Sequence, residues 1–292
     1  MKETKISFND YLLKIKQDFN LSNMSLSSIL DCSPAQASLF LNKKSFVSYD
    51  KIKKLAEWLK NNGKDIYNNY VFYEDDKQFY YHGSRQGIVG SISPNHNSKE
   101  TLDFGHGFYL GSSFLQSSTF VVSEEEGKDR IYKFEFDTSD LNVLELNDLD
   151  WVFFVAYNRG KIPHDKSTSK LYQKMNRISG GGYDVIVGQI ADDRMAPTMR
   201  LFFNNELKYE QLYECLIKLN IGKQWCLKTE KACERLKCVE VYNITDNYLR
   251  ELIKDYATER IDDAVQASTT ISLDRNKKGK TFKQLLKEYG NK

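Results

Sequence analysis

The hydrophobic period changes once along the chain, near residue 79, and this change limits the fold more than any other feature. Before it, apolar residues recur at three- and four-residue spacing. Tyr11, Leu12 and Ile15 form one set; Met24, Leu26, Ile29 and Leu30 form the next. That spacing puts each set on one face of a short helix. The break at "DCSP" is a turn, because Ser33 can N-cap and Pro34 suits the first helical position. A third helix is expected through "PAQASLFLNKK" and a fourth through "SYDKIKKLAEWLK", with Ser48 as its N-cap. Short helices with a tight turn between the second and third have helix-turn-helix organisation.

Beyond "NNGKDIYNNYVFYEDDKQ" the apolar residues collect in short β-rich runs separated by turn clusters. The runs are "QFYYHGS", "FGHGFYLGSS", "DRIYKFEFD", "LNVLEL", "YDVIVGQI", "MRLFF", "KQWCLKT" and "CVEVYNI". Helical stretches are expected at "DLDWVFFVAYNRG" and "NELKYEQLYECLIKLN". Two further amphipathic helices, "YLRELIKDYATERIDDAVQ" and "GKTFKQLLKEYGNK", are expected near the end. No steady βαβ alternation runs through this region, so the expected class is α+β. The segments are 1–64 (all-α), 78–242 (α+β) and 243–292 (helical), the last either covering the central segment or docking a partner.

Bulk properties narrow the function. A net charge of +2 over 292 residues excludes a dominant electrostatic partner for the whole molecule, though not a local basic face. Up to Lys60 there are ten lysines against six acids. The cysteines, Cys32, Cys215, Cys226, Cys233 and Cys238, are odd in number and lack paired metal spacing, and none of the four histidines lies near the last three. Reduced thiols and no metal are expected. The N-terminus has no apolar signal core and no run reaches membrane-spanning length, so the expected location is cytoplasmic, with no membrane partner.

The stretch "MSLSSILDCSPAQASLFLNKKSFVSYDKIKKLAEWL" resembles the Xre/Cro-like phage-repressor helix-turn-helix. The resemblance implies DNA contact through residues 24–44. Gln36, Ser38 and Asn42 would reach base edges, and Lys43 and Lys44 phosphate. The expected recognition helix contains no arginine, the commonest reader of guanine, so dimerisation or protein docking stands beside DNA binding.

"DFGHGFYLGSSF" sets Phe108 and Tyr109 among three glycines. Glycine inside a strand marks a bulge or the close approach of a backbone or a ligand. Upstream, "YYHGS" is a strand ending in His-Gly-Ser. Together "YHGS" and "DFGHGFYL" resemble the first two motifs of the ADP-ribosyltransferase superfamily on its His-Tyr-Glu branch, to which diphtheria toxin and poly(ADP-ribose) polymerase belong. With "YDVIVGQIADDR", they are more narrowly similar to an uncharacterised bacterial family of such folds associated with toxin or phage-defence loci. The resemblance covers about residues 79–242. It implies a small split-sheet domain and NAD as co-substrate, with a protein or nucleic acid as acceptor and an antitoxin or regulatory partner.

Carried onto this sequence, the resemblance gives each residue a task. His82 meets a ribose hydroxyl, since neutral imidazole both donates and accepts. Gly83 lets its backbone clamp the nicotinamide amide, and Ser84 adds a hydroxyl. Tyr109 offers a flat face to the nicotinamide ring, with Gly105, Gly107 and Gly111 clearing space and Phe114 as a wall. The third motif departs from the pattern. Where the branch carries a glutamate on a late strand, "KQWCLKT" offers Gln224. Glutamine accepts the same 2′-hydroxyl hydrogen bond but brings no charge, a deficit on the order of 10²–10³ in rate. A carboxylate entering from Asp192, Asp193 or Glu230 would compensate; Asp193 is also a candidate substrate contact, and Arg194 a phosphate contact. The expected activity is mono-ADP-ribosyl transfer, catalysed by His82, Tyr109 and Gln224. The alternative is a transcriptional regulator whose NAD site has weak or lost catalysis.

Overall fold

In the computed structural model the described residues are 2–71, 79–96, 102–122, 129–191, 195–219, 222–274 and 278–292. The chain opens with strand β1 (Lys2–Ile6) and helices α1 (Phe8–Asp18), α2 (Asn23–Ile29), α3 (Pro34–Leu41) and α4 (Tyr49–Asn61). Then follow β2 (Tyr80–Ser84), β3 (Phe108–Gly111), α5 (Phe114–Val121), β4 (Arg130–Phe136) and β5 (Val143–Glu145). Next are α6 (Asp148–Asn158), α7 (Ser169–Gly180), β6 (Val185–Gln189), α8 (Ala196–Phe203) and α9 (Tyr209–Leu219). The chain ends with β7 (Lys223–Leu227), α10 (Glu230–Glu234), β8 (Leu236–Ile244), α11 (Asn247–Ser272) and α12 (Phe282–Tyr289). The class is α+β.

These elements pack as two compact units. The first comprises Met1–Gly87, Ser113–Glu135 and Cys238–Ala257. Its strands run in the order β1-β8-β4-β2, with β1 parallel to β8 and β2 antiparallel to β4. Serines stand at the N-caps of α2, α3 and α4, and Ser22 and Ser33 accept a capping hydrogen bond. Ser33 Oγ accepts the Gln36 amide at 3.2 Å and Pro34 occupies the first turn of α3. Asp31 takes a left-handed φ of +50° in the turn before it, a conformation aspartate tolerates. The helices share one core with the strands: Phe8, Leu12, Leu26, Phe40, Ile52 and Leu55 are buried in the same cluster as Tyr81, Ile131 and Leu249. The helix-turn-helix segment therefore packs with β2, β4 and the start of α11 in one core.

The second unit comprises Ile88–Ser112, Phe136–Lys237 and Thr258–Lys292. Its strand order is β3-β7-β6-β5; β7 is antiparallel to both β3 and β6, and β6 is parallel to β5. Its core gathers Phe104, Trp151, Phe154, Ile186, Met199 and Phe202. The C-terminal helices contribute to it: Ile271 of α11 and Phe282 and Leu285 of α12 are buried there, and the Phe282 ring lies 5.5 Å from that of Phe202.

One expected strand is a helix. "MRLFF" falls within α8, where Pro197 sits in the first turn and Met195, Met199 and Phe202, at helical spacing, are fully buried. Proline starts a helix well and the four-then-three spacing serves one helical face, whereas a strand would alternate. The structure also adds β1, α7 and α10, and α11 continues through "ASTTIS", where a connection was expected.

Candidate functional site

The turn from Asp103 to Tyr109 is held from several sides. Tyr109 donates its hydroxyl hydrogen to Gly105 O at 2.6 Å and accepts the Phe104 amide at 3.1 Å. Lys228 Nζ donates to Phe104 O at 3.0 Å and also to His106 O. Asn158 Nδ2 donates to Asp103 O at 3.0 Å. Gly105 takes φ +71°, where a β-carbon would also stand 2.9 Å from Asn158 Oδ1. At Gly107 a β-carbon would meet Cys226 Sγ at 2.3 Å and Leu227 O at 2.8 Å. What approaches these two glycines is therefore the chain itself, through α6 and the neighbouring strand β7.

The register of β3 on β7 sets which side chains share a face. Tyr109 stands opposite Cys226, and Gly111 opposite Gln224, so all four positions lie on one face with Gly188 of β6. Burial raises the Tyr109 hydroxyl well above its usual value, with Cys226 beside it adding to the effect. Burial likewise pushes the Cys226 thiol up to about 11, which keeps it a neutral, inert sulfur.

On that face a carboxylate meets Gln224. Asp103 Oδ1 accepts Arg159 Nε at 3.1 Å and Nη2 at 2.5 Å. Asp103 Oδ2 accepts the Ala191 amide at 3.2 Å and Gln224 Nε2 at 3.3 Å. Arg159 also donates to Ala191 O at 2.8 Å. Burial raises the Asp103 carboxyl, while Arg159, Gln224 and the Ala191 amide pull it back towards the charged form. Gln224 Nε2 has a second acceptor, Gln189 O, at 3.4 Å. Asp103 was not among the sequence-derived site residues. Its local sequence carries no distinctive signal, since aspartate near glycine is ordinary turn chemistry, and its partners are far away in sequence.

In the first unit, His82 stands opposite Tyr132 in the β2–β4 register, with ring centroids 6.4 Å apart. Gly83 faces the other way. A β-carbon there would come within 2.6 Å of Ser117 O and Val121 Cγ1, so α5 packs directly on this backbone. Phe114 lies on the Gly83 side: its ring meets Tyr81 at 6.1 Å and Tyr242 at 5.4 Å, and it is buried among them. Successive strand residues alternate faces, so Phe114 is not brought to the His82 side of β2. Ser84 ends the strand opposite Arg130.

The helix-turn-helix candidates occupy α3 and its C-terminal turn. Asn42 Nδ2 folds back on Ser38, donating to its backbone O at 2.8 Å and to its Oγ at 3.3 Å. Gln36 Nε2 reaches Ser45 Oγ at 3.5 Å. Lys43 closes the helix at φ +54° and pairs with Asp10, while Lys44 is exposed. Leu39 and Phe46, 40% and 52% exposed, add apolar surface near these polar groups. Asp192, Asp193 and Arg194 lie outside the described residues. Glu230, the other candidate carboxylate, accepts from Ser93 Oγ at 2.9 Å in the first turn of α10. Among the described residues no group of three or more His, Cys, Asp or Glu could hold a metal, and no helix is long and apolar enough to cross a membrane.

Comparison with known proteins places the chain in one family. The model of a family described as protein of unknown function, DUF3990, matches residues 79–238. That is more than half of the chain, which belongs to this family. No curated protein and no solved structure matches it.

Proposed function

We propose that this member of the DUF3990 family is an NAD-dependent mono-ADP-ribosyltransferase that modifies a protein or nucleic acid, as a cytoplasmic toxin or phage-defence effector. The observation that carries the reading is the polar array in which Asp103, from the turn before β3, and Arg159, from the end of α6, meet Gln224 of β7, on the sheet face that also bears Tyr109 of β3. An acid with four donors, next to a neutral amide and an aromatic ring, suits a task in which positive charge develops nearby. In the proposed reaction the bond between nicotinamide and ribose C1′ breaks. Nicotinamide leaves neutral with the bonding electron pair, and positive charge passes to the ribose. The acceptor's nucleophile then bonds to C1′ and releases its proton. Tyr109 supplies a ring face, Gln224 an acceptor for the ribose 2′-hydroxyl, and His82 and Ser84 hydrogen bonds from the His-Gly-Ser strand.

A second reading, a DNA-binding regulator that senses NAD, has its own support. Helices α2 and α3 are joined by the short turn 30–33, as a helix-turn-helix requires, and on the resemblance Gln224 takes the place of a charged residue. One experiment separates the two. NAD labelled on its adenylate half is mixed with purified protein and, separately, cell-extract protein, RNA and DNA. The transferase reading expects label on one class of acceptor, lost in His82→Ala. No label and no nicotinamide release, even from Gln224→Glu, would leave the regulator.

A further inference from the structure

The Gln224 amide is oriented by its surroundings. Its two close neighbours, the Asp103 carboxylate and the Gln189 carbonyl, at 3.3 and 3.4 Å, can both accept. The NH2 group must face them, which turns Oε1 the opposite way. Among the described residues no donor is directed at Oε1. Gln224 is 8% exposed, so it is held almost entirely by protein. Asp103 is in turn fixed by Arg159 from α6 and by the Ala191 amide. The order is therefore carboxylate, amide NH2, amide carbonyl, and then an open acceptor. Hydrogen bonds in such a chain polarise one another, so an anion behind the NH2 increases the negative character of the carbonyl oxygen in front.

We infer that Asp103 is a positioning residue that acts through Gln224, the two together doing what a single glutamate would do at that place on β7. The inference rests on the transferase reading. Asp103 fixes the amide so that Oε1, and not the NH2, meets the ribose 2′-hydroxyl. It also supplies, one residue removed, negative charge for the cationic ribose that forms as nicotinamide departs. Arg159 and the Ala191 amide keep the carboxylate in place without reaching Oε1. The arrangement explains how a neutral residue stands in the third motif. The charge has moved to the turn before β3, where "DFG" carries it.

The test is the rate of nicotinamide release from NAD by wild-type protein, Asp103→Asn, Gln224→Glu, the Asp103→Asn/Gln224→Glu double variant and Gln224→Met. Asp103→Asn is expected to lower kcat by about 10–100-fold, less than the loss of a directly acting group, while KM for NAD stays within about threefold. Gln224→Glu alone crowds two carboxylates together, so one holds a proton and little rate is gained. The double variant restores one acid to the array and is expected to recover to within several-fold of wild type. A side chain needed only for folding would show no such recovery. Gln224→Met leaves the Asp103–Arg159 pair whole and removes the acceptor; its kcat is expected to fall at least as far as that of Asp103→Asn. Full activity in Asp103→Asn or Gln224→Met, or a double variant no better than Asp103→Asn, would overturn the inference while leaving the transferase intact. Nicotinamide release absent from the wild type would remove both.

Discussion

Each unit contains an aspartate bonded to an arginine, and the two pairs are built differently. In the first unit Asp129 is fully buried, its Oδ2 pairs with Arg250, and its Oδ1 accepts no hydrogen bond among the described residues. In the second, both oxygens of Asp103 have two donors each, and the pair keeps some exposure, 25% for Arg159 and 13% for Asp103. Burial raises the carboxyl in both cases. The Asp129 pair ties the start of β4 to α11 and bears the cost of an unsatisfied oxygen. The Asp103 pair holds something else in place, the amide of Gln224. A saturated carboxylate whose outermost donor presents its own acceptor is an arrangement for positioning; a half-satisfied one deep in a core is a strut.

Removing the arginines tests that difference most strongly. Arg250→Ala removes the ion-pair partner of a fully buried carboxylate and is expected to cost about 3–5 kcal/mol in urea unfolding. Arg159→Ala leaves Asp103 with the Ala191 and Gln224 donors and some solvent, so about 1–2 kcal/mol is expected, with a large drop in NAD cleavage. Equal stability losses would erase the distinction between strut and positioning pair.

The glycines give the next effect. Gly107→Ala would push a methyl into Cys226 and the Leu227 carbonyl, and Gly83→Ala into α5. Each is expected to destabilise by about 1–3 kcal/mol by thermal or urea unfolding. Gly180→Ala, at a helical position with open space around it, should be neutral or stabilising by up to about 1 kcal/mol. If Gly107→Ala unfolded like wild type, β3 and β7 would not be packed as closely as described.

The smallest effect is a pH dependence in the second unit. The Asn142 amide and the Thr229 hydroxyl, at 2.9 and 2.7 Å, hold the Asp184 carboxyl below its ordinary value of 3.8. A depressed folded value means that this stabilisation is complete above the ordinary value and is lost as pH falls through the folded one. The gap in urea midpoint between wild type and Asp184→Asn should therefore be present at pH 6 and shrink progressively as pH falls below the ordinary value of 3.8. A gap that widened on acidification would reverse the assignment.

Much of this architecture could be read from local pattern. The helices α1–α4 and the cap at Ser33 follow the apolar period and cap chemistry, Ser48 holds the N-cap position of α4 without a side-chain capping bond, and seven of the eight expected strand runs hold strands. The eighth, "MRLFF", misled because five residues of mixed apolar character suit either period; Pro197 and the buried Met195, Met199 and Phe202 decide it. β1 could not be read, since "KETKI" has little apolar content and owes its conformation to parallel pairing with β8 at the far end of the chain. α7 did carry a signal, Leu171, Met175 and Ile178 at helical spacing. The candidate site divides in the same way. Tyr109 and Gln224 lie in recognisable motifs and share a face of one sheet. Asp103 acquires its meaning only from Arg159, Ala191 and Gln224, which are 56, 88 and 121 residues away. No periodicity links residues so far apart.

The most direct measurement is chromatographic. Purified protein is incubated with NAD in the presence of cell extract, and free nicotinamide is quantified against His82→Ala. The account predicts nicotinamide accumulating in step with ADP-ribose transferred or released, and its loss in the variant. NAD left intact by folded wild-type protein would contradict it.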